Sequence, residues 1–174
     1  MSAARADARM SDDAFEAAVA AVLAHEGGLS EDPEDPGGLT NWGFALRRNP
    51  DLTAPALRAM TRAEAVARYR ALWWDRYGFA RLPRDVAVKL FDLAVPCGPG
   101  AAIQALQRAC RAAGRRVDED GVLGGATVAA ASALPEAALL AALKSELAAH
   151  FRVLASADAK FGRFLPGWLA RAYA

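Results

Sequence analysis

Apolar residues recur at helical spacing over most of the chain. In the first such segment they follow an i, i+4, i+7, i+8 pattern, at Phe15, Val19, Val22 and Leu23. This pattern predicts a helix over residues 12–25, with Ser11 and the two aspartates after it as N-cap candidates. Residues 1–10 are expected to form a loose tail. Gly27 and Gly28 supply a natural end for the helix.

Cap and breaker residues predict the later helices. Thr61 and Glu64 have the spacing of a capping box, which opens a helix that ends near Tyr77. Further helices are expected to begin near residues 83, 101, 127 and 136. The aromatic tail over residues 161–173 is expected to pack back on the body of the protein.

One segment interrupts the helical pattern. Residues 27–42 contain glycine and proline too densely for a helix. They predict a turn-rich excursion, either a short β-hairpin or an irregular loop after the first helix. The expected fold class is therefore all-α, with this one excursion, and such loops often carry function when a rigid scaffold presents them.

Composition supports the all-α assignment and narrows the function classes. Hydrophobic residues make up 54% of the 174 residues; many are alanine, and β-branched residues are sparse. A net charge of +1 gives no sign of a nucleic-acid binder. No apolar run is long enough for stable membrane insertion. The N-terminus has no apolar signal segment, so we expect synthesis in the cytoplasm.

The cysteines and the glycine-proline cluster bear on cofactors and domain organisation. Cys97 and Cys110 are too few for a disulfide scaffold and have no partners at metal-ligand spacing, so we expect free thiols and neither a metal nor another cofactor. Residues 96–100 are the one plausible lobe boundary. They predict a catalytic lobe over residues 12–95 and a helical region over residues 96–174 packed on it as one unit.

The excursion carries residues suited to glycoside hydrolysis. This chemistry needs a protonated carboxyl group for the leaving oxygen and a second group that manages water or positive charge. Glu26 stands at a helix end where a carboxylate opposes the macrodipole, which hints at function. Asp35 can face it from the loop or can simply cap a turn, with Asp32 as its rival. Thr40 can bond the attacking water or be an ordinary strand residue.

The same segment resembles a known family. The spacing E-x8-D-x4-T is similar to the E-x8-D-x5-T of phage-type lysozymes, and the fuller string resembles the glycoside hydrolase family 108 signature, E-G-G-Y-x-x-D-P-x-D-P-G-G-x-T-x-x-G. The positions that match in register are Glu26, Gly27, Gly28, Asp32, Pro33, Asp35, Pro36, Gly37, Gly38, Thr40 and Gly43. Residues 102–127 look like the predicted peptidoglycan-binding region usually fused to this family, and Gly167, Trp168 and Arg171 resemble its C-terminal G-W-x-x-R.

The resemblance implies a lysozyme-like fold and N-acetylmuramidase activity on peptidoglycan. It implies Glu26 as the catalytic acid, with Asp35 and Thr40 managing the water. The substrate-binding residues that we predict are Asp32, Asn41, Trp42, Tyr69, Trp73 and Asp92. One or two of Trp42, Trp73 and Trp74 are expected to face the cleft. Asp92, an acid in an apolar helix, needs a partner and is favoured as a residue that orients a loop.

Two departures from the family pattern bear on substrate contacts. Leu29 stands where the family has an aromatic residue, and Pro96 stands where an asparagine is expected. Two other functions stay open: a non-catalytic wall-binding or structural module, for which these departures leave room, and a lytic transglycosylase, which also uses one glutamate. The expected partner is the glycan strand, met by a monomer in the periplasm or cell wall. Release through a holin, lysis by a phage-like particle and export as an effector remain alternatives.

Overall fold

The computed structural model describes the backbone of residues 3–26, 28–31 and 38–174, and the side chains from Ser11 onward. Within these residues there are eight α-helices and one two-stranded sheet, which confirms the all-α expectation. The elements are α1 (Ala3–His25), β1 (Thr40–Asn41), β2 (Phe44–Ala45), α2 (Ala54–Ala59), α3 (Arg62–Tyr69), α4 (Arg84–Cys97), α5 (Pro99–Ala112), α6 (Gly125–Ser132), α7 (Glu136–Ala157) and α8 (Leu165–Tyr173). None of the described helices is both long and apolar enough to cross a membrane.

The first helix is longer than expected. It begins at Ala3, so the expectation of a loose tail is wrong for residues 3–10. That segment contains four alanines and neither glycine nor proline. Its high helix propensity lets the helix begin before Ser11, although Ser11 is a good N-cap residue. The helix ends at His25 as expected, and the backbone N–H of Glu26 still donates to the carbonyl of Val22 at 2.8 Å.

The excursion after α1 contains the hairpin. β1 and β2 pair antiparallel, with Thr40 opposite Ala45 and Asn41 opposite Phe44. Trp42 and Gly43 form the two-residue turn, with φ angles of 52° and 81°. Positive φ at both central residues matches the right-handed twist of paired strands. Trp42 is the one non-glycine residue of the described chain with positive φ.

The helix predicted after Thr61 starts as expected but changes geometry midway. The Thr61 hydroxyl accepts from the Glu64 N–H, and the Glu64 carboxylate accepts from the Thr61 N–H at 2.7 Å, which confirms the capping box. α3 ends at Tyr69, and Arg70–Asp75 continues as a π-helix. Such wider turns are rare and often occur at functional sites.

α4 forms the centre of the molecule, packed against α1, α5, α7 and α8. Its Val86, Leu90 and Phe91 are fully buried in a hydrophobic core that extends from α1 to α8. Gly98, with φ of 85°, turns the chain from the end of α4 into α5. The aromatic tail folds into a short 3-10 segment and α8, and Trp168 stacks on the core at a centroid distance of 5.0 Å from Phe151.

Candidate active site

Glu26 follows directly after the end of α1, and an ion pair holds its carboxylate. Arg171 of α8 donates from Nη1 to Glu26 Oε1 at 3.0 Å. The Glu26 side chain is 23% exposed and that of Arg171 is 9% exposed. The carboxylate is therefore partly shielded from water but still reachable from one side. The two residues are far apart in sequence and meet only because α8 packs back on the body.

The same guanidinium holds a second carboxylate. Arg171 donates from Nε to Asp92 Oδ1 at 2.9 Å and from Nη2 to the Asp92 carbonyl at 3.0 Å. Asp92 lies in α4 and its side chain is 3% exposed. Lys89, one helical turn earlier, lies 3.7 Å from Asp92 Oδ2 and donates to the Arg171 carbonyl at 3.0 Å. Two cations thus face two carboxylates, and the rigid planar fork of Arg171 fixes where Glu26 lies.

Burial and the charges of this network shift the pKa values of Lys89 and Tyr69. Burial lowers the pKa of Lys89, and the negative charge of Asp92 opposes that shift. Burial also raises the pKa of Tyr69, and the nearby Glu26 carboxylate adds to the effect while Arg171 opposes it. The Tyr69 phenol therefore stays a neutral hydrogen-bond donor, and its Oη donates to the Trp42 carbonyl at 3.0 Å.

Gly43 in the hairpin turn allows Glu26 and Tyr69 to come together. A β-carbon at this position would lie 3.0 Å from Glu26 Cγ and 3.2 Å from its Oε2, and would overlap the Tyr69 hydroxyl. The φ of 81° is also one that side chains rarely adopt. The turn thus needs glycine for two separate reasons, its backbone conformation and the space that the Glu26 side chain and the Tyr69 hydroxyl occupy beside it.

A cleft of about 350 Å³ adjoins this position. Gly43 and Tyr69 are part of its wall and connect it to Glu26, since the Glu26 side chain lies beside Gly43 and its charge acts on the Tyr69 phenol. Trp73 and Tyr77 also line it, with ring centroids 6.4 Å apart. The cleft falls in the size range of ligand sites and presents aromatic faces, which suit sugar rings.

A larger groove of about 590 Å³ lies elsewhere, after α5. Its wall includes Arg111, Arg115 and Arg116. None of the residues predicted from the sequence to act in catalysis lines it. Volume alone therefore does not identify the reaction site, and the cleft beside Glu26 is the better candidate because it borders the ion-paired carboxylate.

The predicted partners of Glu26 have different positions in the structure. Asp32 and Asp35 lie outside the described residues. Thr40 lies in β1, and its hydroxyl donates to the Gly38 carbonyl at 3.3 Å. Asn41 is 5% exposed, and its amide donates to the Leu57 carbonyl at 2.9 Å, which ties the hairpin to α2. The Asn41 side chain therefore holds the hairpin against α2.

The three tryptophans that were candidates for the cleft lie in three different environments. Trp42 donates from its indole nitrogen to the Met60 carbonyl at 2.9 Å. Trp74 is fully buried, edge-on to Phe15 and Phe91 at 5.6 and 5.5 Å. Trp73 alone of the three lines the cleft. Its neighbour Trp74 points elsewhere because successive residues of a helix face different directions.

Sequence reasoning missed the residues that hold Glu26 in place. Arg171 was noted only as part of a family-like ending, and Lys89 and Gly43 received no role. The available signal was Asp92, since an acid in an apolar helix implies a buried cation.

The two departures from the family pattern also have definite positions: Leu29 is 52% exposed, and Pro96 lies in the last turn of α4 beside Val95 of the cleft wall.

Comparisons with known proteins find two family matches and a similar solved structure. Residues 19–98 match the family model described as Glycosyl hydrolase 108, and residues 101–173 match the one described as Predicted Peptidoglycan domain. Among solved structures, the chain is similar to Brucella abortus SagA, with a TM-score of 0.77 and 28% identity over 93% of this chain and 91% of that one. No curated protein has significant similarity to the sequence.

Proposed function

We propose that this chain, whose residues 19–98 match the glycosyl hydrolase 108 family model, is an N-acetylmuramidase, which hydrolyses the β-1,4 bond between N-acetylmuramic acid and N-acetylglucosamine in peptidoglycan. The observation that carries this proposal is the Glu26 carboxylate, held at 3.0 Å by Arg171 at the edge of an aromatic cleft. The match of residues 101–173 to a predicted peptidoglycan domain supports the choice of substrate.

In the proposed reaction Glu26 acts as the general acid. Its proton passes to the glycosidic oxygen as the bond between that oxygen and the anomeric carbon breaks. Arg171 then stabilises the carboxylate that remains, and water completes the hydrolysis at the anomeric carbon. Asp35, helped by Thr40, is proposed to position this water and to accept the proton that the water loses as its oxygen bonds to the anomeric carbon. By analogy with phage-type lysozymes we propose inversion, which proton NMR of the first-formed anomer tests directly.

The first test is loss of turbidity of purified Gram-negative sacculi. Wild-type protein is compared with Glu26→Gln and with the control Glu16→Gln, which changes an exposed glutamate of the same helix. We expect wild type and control to clear the suspension and Glu26→Gln to leave it turbid while it remains folded. Mass spectrometry of the soluble products should find reducing N-acetylmuramic acid ends.

Other outcomes identify the alternative functions. Products lighter by one water would identify a lytic transglycosylase, because that reaction closes an anhydro ring without adding water. If neither wild type nor any variant clears the sacculi but all of these proteins pellet with the sacculi, the chain is a wall-binding module. An endolysin-type role is the proposed setting, and it predicts lysis of the expressing cell only when a holin is co-expressed.

A further inference from the structure

We propose that Arg48 and Arg76 form a subsite for a carboxylate carried by the muramic acid residue of the glycan. This inference deepens the proposed function and rests on it. Both arginines line the 350 Å³ cleft that adjoins Glu26 through Gly43 and Tyr69. Arg48 ends the short 3-10 turn after the hairpin, and Arg76 follows the π-helical segment, so two separate parts of the chain bring positive charge to one cleft.

Neither arginine is neutralised by an acid in the described part of the chain. No carboxylate lies within ion-pair distance of either one there, although Arg76 lies 5.8 Å from the centre of the Tyr77 ring. Asp51 is the acid in the cleft wall, and Arg68 already binds it at 2.8 Å. Both arginines are exposed, so their guanidinium groups are available to a ligand that enters the cleft.

The chemistry of the substrate supplies the matching group. The N-acetylated sugar rings of the glycan are neutral, and aromatic faces such as those of Trp73 and Tyr77 suffice for them. The negative charge belongs to the substituent of muramic acid, either its free lactyl carboxylate or the carboxylates of the attached stem peptide. Guanidinium groups bind carboxylates with two parallel hydrogen bonds, so this pair selects peptidoglycan over an uncharged glycan such as chitin.

The control for this proposal removes two arginines from elsewhere on the surface. Arg62 opens α3, about two turns of helix from Tyr69, and Arg84 opens α4, about three turns from Val95. Among the described residues, the ion-pair partner of Arg84 is the exposed Asp85 next to it in sequence. The double variant Arg62→Gln, Arg84→Gln therefore changes the net charge as much as Arg48→Gln, Arg76→Gln does, but it leaves the cleft intact.

The experiment measures binding in a Glu26→Gln background, so that no ligand is consumed. Calorimetry compares three soluble ligands: chitooligosaccharide, glycan strands freed of peptide by an amidase, and strands with their stem peptides. We expect Arg48→Gln, Arg76→Gln to weaken binding of a carboxylate-bearing ligand at least about tenfold and to leave chitooligosaccharide binding unchanged. Loss only on peptide-free strands identifies the lactyl carboxylate, because stem-bearing strands have that carboxyl group in an amide bond. Loss only on stem-bearing strands identifies the peptide, and loss on both shows that the pair of arginines accepts either carboxylate.

Two further readouts separate this inference from the proposed function. Arg48→Lys, Arg76→Lys should restore part of the affinity, and added salt should weaken wild-type binding more than binding by the glutamine variant. Equal affinities for the glutamine variant and its control on all three ligands would overturn the subsite, even if the wild-type protein hydrolyses sacculi. Charge-dependent binding without any hydrolysis by wild type would instead keep the subsite and refute the muramidase.

Discussion

The ion network around Arg171 makes a sharp prediction for one substitution. Arg171→Met keeps a side chain of similar length but removes the charge that bridges Glu26 and Asp92. Three hydrogen bonds are lost, two of them to the Asp92 residue. Lys89 remains 3.7 Å from that carboxylate, and at this distance it replaces only part of the interaction that the guanidinium group supplied. A carboxylate that is almost fully buried is then left largely uncompensated.

The magnitude follows from burial. Removing one partner of a buried ion pair typically costs about 3–5 kcal/mol, because the remaining charge stays desolvated. In a chain of this length each kcal/mol lowers the melting temperature by about 2–4 °C, so Arg171→Met should melt about 6–20 °C below wild type. Adding Asp92→Asn to it should recover part of the loss, because both charges are then gone, with a coupling free energy of about 1–3 kcal/mol.

The assay separates stability from catalysis. Thermal and urea unfolding are measured for wild type, Arg171→Met, Asp92→Asn, the double variant and Glu26→Gln. Glu26→Gln should change the free energy of unfolding by about 1 kcal/mol or less, since its amide oxygen still accepts from Arg171 and the site is partly exposed. It should nevertheless abolish hydrolysis. Arg171→Met should lower kcat about a hundredfold at a temperature where it is folded, because the acid loses its orientation.

Two results would refute this reasoning. If Arg171→Met melts within about 2 °C of wild type while the exposed control Arg62→Met does the same, the network contributes no stability. If its kcat is also unchanged, then Arg171 does not position Glu26 and the arrangement of the two side chains has no part in catalysis.

Other predictions concern the turn, the thiols and a buried amide. Gly43→Ala should lower kcat/KM at least about tenfold, because its β-carbon displaces the proposed acid, whereas Gly124→Ala, with open space around that position, should not. Burial raises the pKa of Cys97 to about 12 and also raises that of Cys110, so a thiol reagent at pH 8 should modify both only after unfolding, and fast reaction of the native protein would contradict this. Gln107→Leu should lower the free energy of unfolding in urea by about 2–3 kcal/mol, because its amide bonds to Asp120 and Gly121 of the loop after α5 and to Thr127 of α6. A decrease of less than about 0.5 kcal/mol would contradict the assigned bonds.

Signals that act over a few residues made much of the fold predictable. The capping box at Thr61 depends on two groups three residues apart, and both bonds form as the pattern indicates. α4 ends at Gly98, whose φ of 85° favours glycine. The glycine-proline cluster at residues 96–100 indicates such an end in the sequence. The start of α1 was misjudged because Ser11 is a good cap residue locally, yet the alanines before it continue the helix.

The candidate site was less predictable because its contacts are long-range. Glu26 could be singled out from its position beside two glycines, but its partner Arg171 belongs to the last helix. Spacing carries no information about such a contact. Likewise, the sequence after Tyr69 predicts an ordinary α-helix, although the structure has a π-helical segment there. The sequence therefore does not reveal that Trp73 lines the cleft while Trp74 is buried.

The ion network around Arg171 joins the two regions that match separate family models. Glu26 and Asp92 fall within residues 19–98, whereas Arg171 falls within residues 101–173. The region that resembles a peptidoglycan domain therefore supplies the cation that holds the proposed acid. Lys89 reinforces this connection, because its ammonium group bonds the backbone of Arg171 across the same boundary. Substitutions on the inner face of α8 should accordingly affect hydrolysis as strongly as substitutions near Glu26, although they are far from it in sequence.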